Sequence, residues 1–225
     1  MSSFSITGNL VDVHQEKIYP AKIVVERGRI VSVVATEPSH DGGDAEGYIL
    51  PGFIDSHVHI ESSMLVPSEF AKLAVVHGTV ATISDPHEIA NVCGIEGVEF
   101  MIENGKTVPF KFNFGAPSCV PATVFETAGA ALDAIAVEKL LQRDEIKYLS
   151  EMMNFPGVVN GSPEELAKLA LEGAAHVDGH APGLLGKELQ AYAAAGIRSD
   201  HEALTADEGR ERLRAGMWLL IREAS

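Results

Sequence analysis

The chain has 225 residues, 46% of them apolar and 22% charged, and its 32 acidic and 17 basic residues give a formal charge of −15. This composition excludes a disordered, collagen-like or coiled-coil chain, and the acidic balance argues against nucleic-acid binding. The chain has no apolar run of membrane-spanning length, no secretion signal at its start and only two cysteines, so we expect a reduced, cytoplasmic protein without a membrane partner.

The first part of the chain has the pattern of a small antiparallel sheet. Short β-branched runs over 10–13, 21–26 and 29–35 are separated by turn residues such as Arg27-Gly28. A polar stretch rich in Gly and Asp follows over 37–47 and predicts a loop or boundary. We therefore place a first domain at 1–48 and a second at 49–225.

From Tyr48 onwards, short apolar runs alternate with helical stretches. The predicted strands are 48–55, 79–85, 111–116, 147–152, 175–179, 196–200 and 217–222. The predicted helices are 68–76, 96–103, 131–141, 163–171, 187–194 and 206–214. Ser162 is predicted to cap the fourth of these helices, and Thr205 with Glu208 forms a capping box before the last. This alternation predicts an α/β fold with a parallel sheet, and both an open doubly wound sheet and a barrel fit it.

Histidines and carboxylates follow the ends of these predicted strands. They are Asp55, His57, His59, Asp85, His87, Glu88, Glu151, His180 and His201. Because parallel α/β folds place their active sites at the carboxyl ends of strands, we expect these side chains to meet. Imidazole and carboxylate ligands suit Zn²⁺, Mn²⁺ or Fe²⁺. A carboxylate such as Glu151 can bridge two ions, which would favour a hydrolytic site with an activated water.

Each motif also has a simpler interpretation when it is considered alone. His57 and His59 could be surface histidines, the Asp85–Glu88 segment could be an Asx-turn that caps a helix, and Glu151 could form a salt bridge. Their joint placement at successive strand ends favours metal binding over these alternatives.

At these motifs the sequence resembles the amidohydrolase superfamily and, within it, the family of adenine deaminases. The similarity lies in PGFIDSHVHIESS (51–63), SDPHEIANV (84–92), EMMNFPGV (151–158), DGHAPG (178–183) and SDHE (199–202). It implies a (β/α)8 TIM-type barrel, with residues 1–48 as the N-terminal part of an accessory β-sandwich. The implied reaction is hydrolytic deamination of adenine to hypoxanthine and ammonia, as in purine salvage.

The resemblance also implies roles for individual residues. His57 and His59 would hold a first metal ion, Glu151 would bridge, and His180 and His201 would hold a second, with Mn²⁺ or Fe²⁺ expected and Zn²⁺ also compatible. Metal-activated hydroxide would attack the purine carbon that carries the amine. Glu88, with His87 beside it, would transfer protons, while Asp85 would either orient His87 or bind an extra ion. Relatives in this superfamily commonly self-associate, so we expect a homo-oligomer.

The length of the chain is short for this fold, since a complete barrel needs about 250 residues. We count seven strands, and the eighth strand of the superfamily, which ends in a proton-shuttling aspartate, is not apparent. We therefore expect a barrel truncated after about the seventh strand. Two alternatives to adenine deamination stay open: a related cyclic amidohydrolase, and a non-catalytic metal-binding or interaction protein.

Overall fold

A computed structural model describes residues 3–37, 47–123 and 125–223. The chain divides into two compact units, Met1–Gly52 and Phe53–Ser225. The polar loop predicted over 37–47 lies mostly outside the described residues. Within the described part of the chain, none of the helices combines the length and the apolar character that a membrane crossing requires.

The first unit contains a four-stranded sheet with the order β3-β2-β1-β4. Its strands are β1 (Ser3–Asp12), β2 (Lys17–Glu26), β3 (Arg29–Ala35) and β4 (Tyr48–Ile49). β1 and β2 pair antiparallel and are longer than predicted, because the Asp12 carboxylate accepts the backbone N–H groups of His14 and Gln15 and tightens the turn between them. The assignment of this unit to a β-sandwich stays a prediction.

The single strand predicted over 48–55 is wrong, because the structure divides this segment in two. Tyr48–Ile49 pairs with β1 in the first unit, whereas a new strand, β5 (Phe53–Val58), begins the second unit. Pro51 has no N–H to give to a sheet, and Gly52 adds backbone freedom, so the pair interrupts the strand.

The second unit is built on parallel strands in sequence order. They are β5, β6 (Thr79–Ser84), β7 (Lys111–Ala116), β8 (Ile146–Met152), β9 (Val177–Gly179), β10 (Ser199–Asp200) and β11 (Trp218–Leu219). The first five form one sheet in the order β5-β6-β7-β8-β9, and β10 pairs with β11. The Arg198 N–H donates to the Val177 carbonyl at 2.9 Å, which places β10 beside β9. A doubly wound sheet would reverse this order at a switch point, so the sequential winding is that of a (β/α) barrel.

The helices of the second unit lie between these strands and cover the sheet. They are α1 (Pro67–Val75), α2 (His87–Gly105), α3 (Ala134–Leu141), α4 (Phe155–Val159), α5 (Pro163–Leu169), α6 (Gly186–Ala194) and α7 (Ala206–Arg214), with a 3-10 helix at Ile60–Ser63. The hydrophobic core includes Val98, Leu140 and Leu149, each fully buried. Strands and helices alternate as predicted.

Two helices differ from the prediction. The prediction of 96–103 captures only the second half of α2, because the helix begins at His87 and is kinked at Gly94, where a φ of 62° breaks the apolar periodicity. α4 was not predicted, since it is short and contains Pro156 and Gly157. The Thr205 cap of α7 is confirmed, because the Glu208 N–H donates to the Thr205 hydroxyl at 3.2 Å. The predicted box differs in its second bond, since the Glu208 carboxylate accepts the Leu204 N–H at 3.1 Å.

Candidate metal centre

The structure brings the polar side chains at the strand ends into one cluster. His57 lies near the end of β5 and His59 just beyond it, Asp85 follows β6, and His87 is the first residue of α2. Glu151 lies in β8, His180 follows β9 and His201 follows β10. The strands are parallel and adjacent, so their carboxyl ends meet although the residues are far apart in sequence.

Glu151 is at the centre of this cluster and is only 2% exposed. Its Oε1 lies 3.3 Å from His59 Nε2 and 3.3 Å from His87 Nδ1. Its Oε2 lies 2.8 Å from His180 Nδ1 and 3.1 Å from His201 Nε2. One carboxylate therefore faces two pairs of histidines, with a different oxygen toward each pair.

Fixed partners orient the first two histidines toward the cluster. His57 Nδ1 lies 2.9 Å from Asp178 Oδ2, and His59 Nδ1 lies 3.0 Å from the Asp85 carbonyl oxygen. Because both partners can only accept, each Nδ1 carries the proton, and the Nε2 atoms of the two rings face each other at 3.1 Å. Two facing lone pairs suit a shared cation, so these residues fit a metal ion.

The donor atoms form groups that could hold divalent ions. One group is His59, Asp85, His87 and Glu151, and another is Glu151, His180 and His201. A third group, His57, Asp178 and His201, shares His201 with the second group. The Nδ1 atom of His201 is buried and has no hydrogen-bond partner within the described residues. Imidazole and carboxylate donors accept several divalent metals.

Burial and opposite charges together set the protonation of the cluster. Burial would raise the pKa of Glu151, but hydrogen bonds from His180 and His201 hold the pKa of this carboxyl well below its usual range. Burial would lower the pKa of His87, yet the Asp85 carboxylate beside it raises the pKa of His87 to about 9. In the metal-free cluster, the ionised Glu151 carboxylate therefore lies beside a His87 ring that holds its proton.

Asp85 and Glu88 occupy different surroundings although they are close in sequence. Asp85 is buried, accepts the Ser150 hydroxyl at 2.7 Å and lies 3.0 Å from His87 Nδ1, so its carboxylate holds the imidazole rather than capping α2. Glu88 is exposed, and its carboxylate accepts the Ser62 hydroxyl at 2.7 Å. Glu88 lines a cavity beside His87 and stands apart from the groups around Glu151.

The residues that support the candidate ligands were not predicted from the sequence. Asp178 holds His57, and its other oxygen accepts the Ser199 hydroxyl at 2.6 Å. Asp200 is fully buried and is paired with Arg212 of α7. Both aspartates belong to motifs next to ligand histidines, which is a signal that sequence reasoning could have used. Arg212 gives no such signal, because its helix is amphipathic and otherwise strongly charged.

Comparison with known proteins places this centre in a family. Residues 48–224 match the Amidohydrolase family. The chain therefore belongs to the amidohydrolase family, and the predicted α/β barrel fold is confirmed.

Within that family, the chain is similar to adenine deaminases. It is 59% identical to the adenine deaminase of Sulfurovum sp. (strain NBC37-1) over 219 residues, which cover 96% of this chain and 40% of that protein. It is 56% identical to the adenine deaminase of Salinibacter ruber over 226 residues, which cover 100% of this chain and 41% of that protein. The chain thus spans about two fifths of the length of these curated relatives.

Solved structures agree on the fold. An atrazine chlorohydrolase from Arthrobacter aurescens, complexed with zinc and atraton, aligns with a TM-score of 0.55 at 15% identity over 96% of this chain and 71% of that one. An amidohydrolase aligns with a TM-score of 0.53 at 15% identity over 97% of this chain and 65% of that one. At such low identity, the likeness describes the fold alone.

Proposed function

We propose that this chain carries the metal centre of a hydrolytic adenine deaminase, which converts adenine to hypoxanthine and ammonia. The observation that carries the proposal is the position of Glu151, whose two oxygens face two separate pairs of histidines. The similarity to adenine deaminases supports the substrate.

By motif position, His57 and His59 would hold the first ion together with Glu151. Of these, His59 and Glu151 form one donor group with Asp85 and His87, and Glu151, His180 and His201 form the group that would hold the second ion. We expect Mn²⁺ or Fe²⁺, with Zn²⁺ also compatible with these donors. When bound, a pair of divalent ions lowers the pKa of a shared water and so supplies hydroxide at neutral pH.

The chain's own residues would prepare and complete the reaction. Asp178 and the Asp85 carbonyl keep the His57 and His59 rings turned toward the cluster. Glu151 stays ionised because its histidine partners stabilise the carboxylate. Glu88 is exposed to the adjoining cavity, where it could carry a proton to the ring nitrogen and the leaving amine, with His87 beside it.

We also infer a role in purine salvage, a cytoplasmic location and a homo-oligomeric state. Cys93 and Cys119 are both free thiols, which agrees with a reducing compartment. Light scattering of the purified protein measures the oligomeric state, and a monomer at all concentrations would contradict that part of the proposal.

Activity is tested with Mn²⁺- or Fe²⁺-loaded protein and adenine, following ammonia and hypoxanthine. We would assay the chain itself and a fusion that adds the remaining C-terminal portion of the Sulfurovum relative, with lactams and hydantoins as competing substrates. Adenine turnover in the fusion supports the proposal. Weak or no turnover is expected of the 225-residue chain alone. In the fusion, turnover of a lactam or hydantoin instead of adenine, or two bound ions with no turnover of any substrate, would refute the substrate assignment.

The bridging role of Glu151 is tested by metal content. We expect Glu151→Gln to bind fewer than two ions per chain, because the neutral amide loses the charge that faces both histidine pairs. The matched control is Glu188→Gln, which makes the same change at an exposed glutamate on α6 and should leave the metal content unchanged. Two tightly bound ions in Glu151→Gln would contradict the bridge.

A further inference from the structure

Glu202 places a second carboxylate beside the second donor group, which consists of Glu151, His180 and His201. Glu202 Oε1 lies 3.5 Å from His180 Nδ1 and 3.4 Å from His201 Nε2. Glu151 Oε2 lies 2.8 Å and 3.1 Å from the same two nitrogen atoms. Each of these imidazole nitrogen atoms therefore faces two carboxylates, one from β8 and one from the segment after β10.

The distances between these four atoms are typical of donors around one divalent ion. Nitrogen and oxygen donors bind Zn²⁺ at about 2.0–2.2 Å, which puts neighbouring donors of a tetrahedral ion about 3.4 Å apart. Six donors at about 2.1 Å, as around an octahedral ion, have neighbours about 3.0 Å apart. The four separations at this site, from 2.8 to 3.5 Å, span these values. The four donor atoms are thus close enough to share one ion.

Glu202 is mostly buried, and its backbone is held in place. The residue is 9% exposed, and its N–H donates to Asp200 Oδ1 at 2.9 Å. Asp200 is in turn paired with Arg212. A buried carboxylate is costly without a cation, and Arg222 supplies one, because its Nη2 donates to Glu202 Oε1 at 2.6 Å. The Arg222 side chain is 40% exposed, so its charge is only partly withdrawn from water.

We propose that Glu202 is a direct ligand of the second ion, in addition to the three residues of the second donor group. The inference rests on the proposed function, since it concerns the same metal centre. An ionised carboxylate has about four acceptor positions, so Glu202 can accept the Arg222 guanidinium and bind an ion at the same time. Each ion would then have one carboxylate of its own, Asp85 or Glu202, besides the shared Glu151.

The alternative role for Glu202 is to anchor Arg222, which follows β11, without contact with an ion. Two variants separate these roles. Glu202→Gln and Arg222→Gln both remove the ion pair, but only Glu202→Gln also removes the negative charge that faces the two histidines. An anchoring role predicts the same change of metal affinity in both variants, whereas a ligand role predicts a change in Glu202→Gln alone.

The test measures Mn²⁺ binding to the 225-residue chain by titration calorimetry, and elemental analysis counts the bound ions. Glu202→Gln should weaken binding of the second ion by about 100-fold or more, because loss of an outer partner of a ligand alone costs about 10–100-fold. Arg222→Gln should bind the second ion at least as tightly as the wild type, since it removes a positive charge beside the site. The matched control is Glu172→Gln, the same change at an exposed glutamate.

The outcomes separate this inference from the proposed function. The inference is overturned if Glu202→Gln binds the second ion as tightly as the wild type, or if Arg222→Gln loses as much affinity as Glu202→Gln. If Glu202→Gln does not fold, the double variant with Arg222→Gln, which leaves neither charge unpaired, is judged in the same way. A wild type that binds fewer than two ions refutes the proposed two-ion centre and this inference with it, whereas two ions bound equally well by Glu202→Gln refute the inference alone.

Discussion

Arg212 connects the two segments that carry the second pair of histidines, and its removal is the most informative perturbation of the scaffold. Its side chain is 0% exposed. Nε donates to Asp200 Oδ1 at 2.7 Å, and Nη2 donates to the Ala181 carbonyl at 2.6 Å. Asp200 also accepts the Ala181 N–H at 2.9 Å. Because Ala181 follows His180 and Asp200 precedes His201, this ion pair holds both ligand segments together.

Arg212→Met keeps much of the side-chain volume but leaves the carboxylate of Asp200 buried without its partner. Removal of one member of a buried ion pair costs about 3–5 kcal/mol, which is a large part of the roughly 5–15 kcal/mol that stabilises a typical protein. Two backbone N–H groups, of Ala181 and Glu202, still donate to Asp200, so we expect a value near the lower end of that range.

Urea unfolding of the metal-free protein, followed by circular dichroism, measures this loss. Arg210→Met, on the same helix, is the matched control, because its exposed ion pair with Asp207 contributes only about 0–1 kcal/mol. The double variant Asp200→Asn with Arg212→Met removes the unpaired charge and should be more stable than Arg212→Met alone. A single variant within about 1 kcal/mol of the wild type, or a double variant less stable than the single one, would refute this reasoning.

Three further predictions concern the cluster and the last helix. Asp178→Asn should weaken metal binding about 10- to 100-fold, because it removes the carboxylate that orients His57; unchanged affinity in a metal titration would contradict that role. The metal-free protein should lose stability as pH rises from about 6.5 through about 9, because the raised pKa of His87 favours the folded state only while the ring is protonated. Thermal unfolding across this range checks the trend, and an equal slope in His87→Gln would show that another group causes it. Thr205→Ala should cost about 1 kcal/mol in urea unfolding through loss of the α7 cap, and a neutral effect would argue against the cap.

Local patterns in the sequence were sufficient for the order of the elements and for most of the candidate ligands. The alternation of strands and helices depends on residues that are close together in the chain, and so does the helix cap at Thr205. Both features can therefore be predicted from the sequence without the fold. The placement of His57, Glu151 and His201 at strand ends predicted a common site, because parallel strands bring those ends together.

Only the tertiary structure decided which groups complete that site. The contact of Asp178 with His57 and that of Arg212 with the Ala181 carbonyl join segments that are far apart in the chain. Burial and hydrogen-bond satisfaction are properties of packing between segments far apart in sequence, and so periodicity and spacing do not contain them.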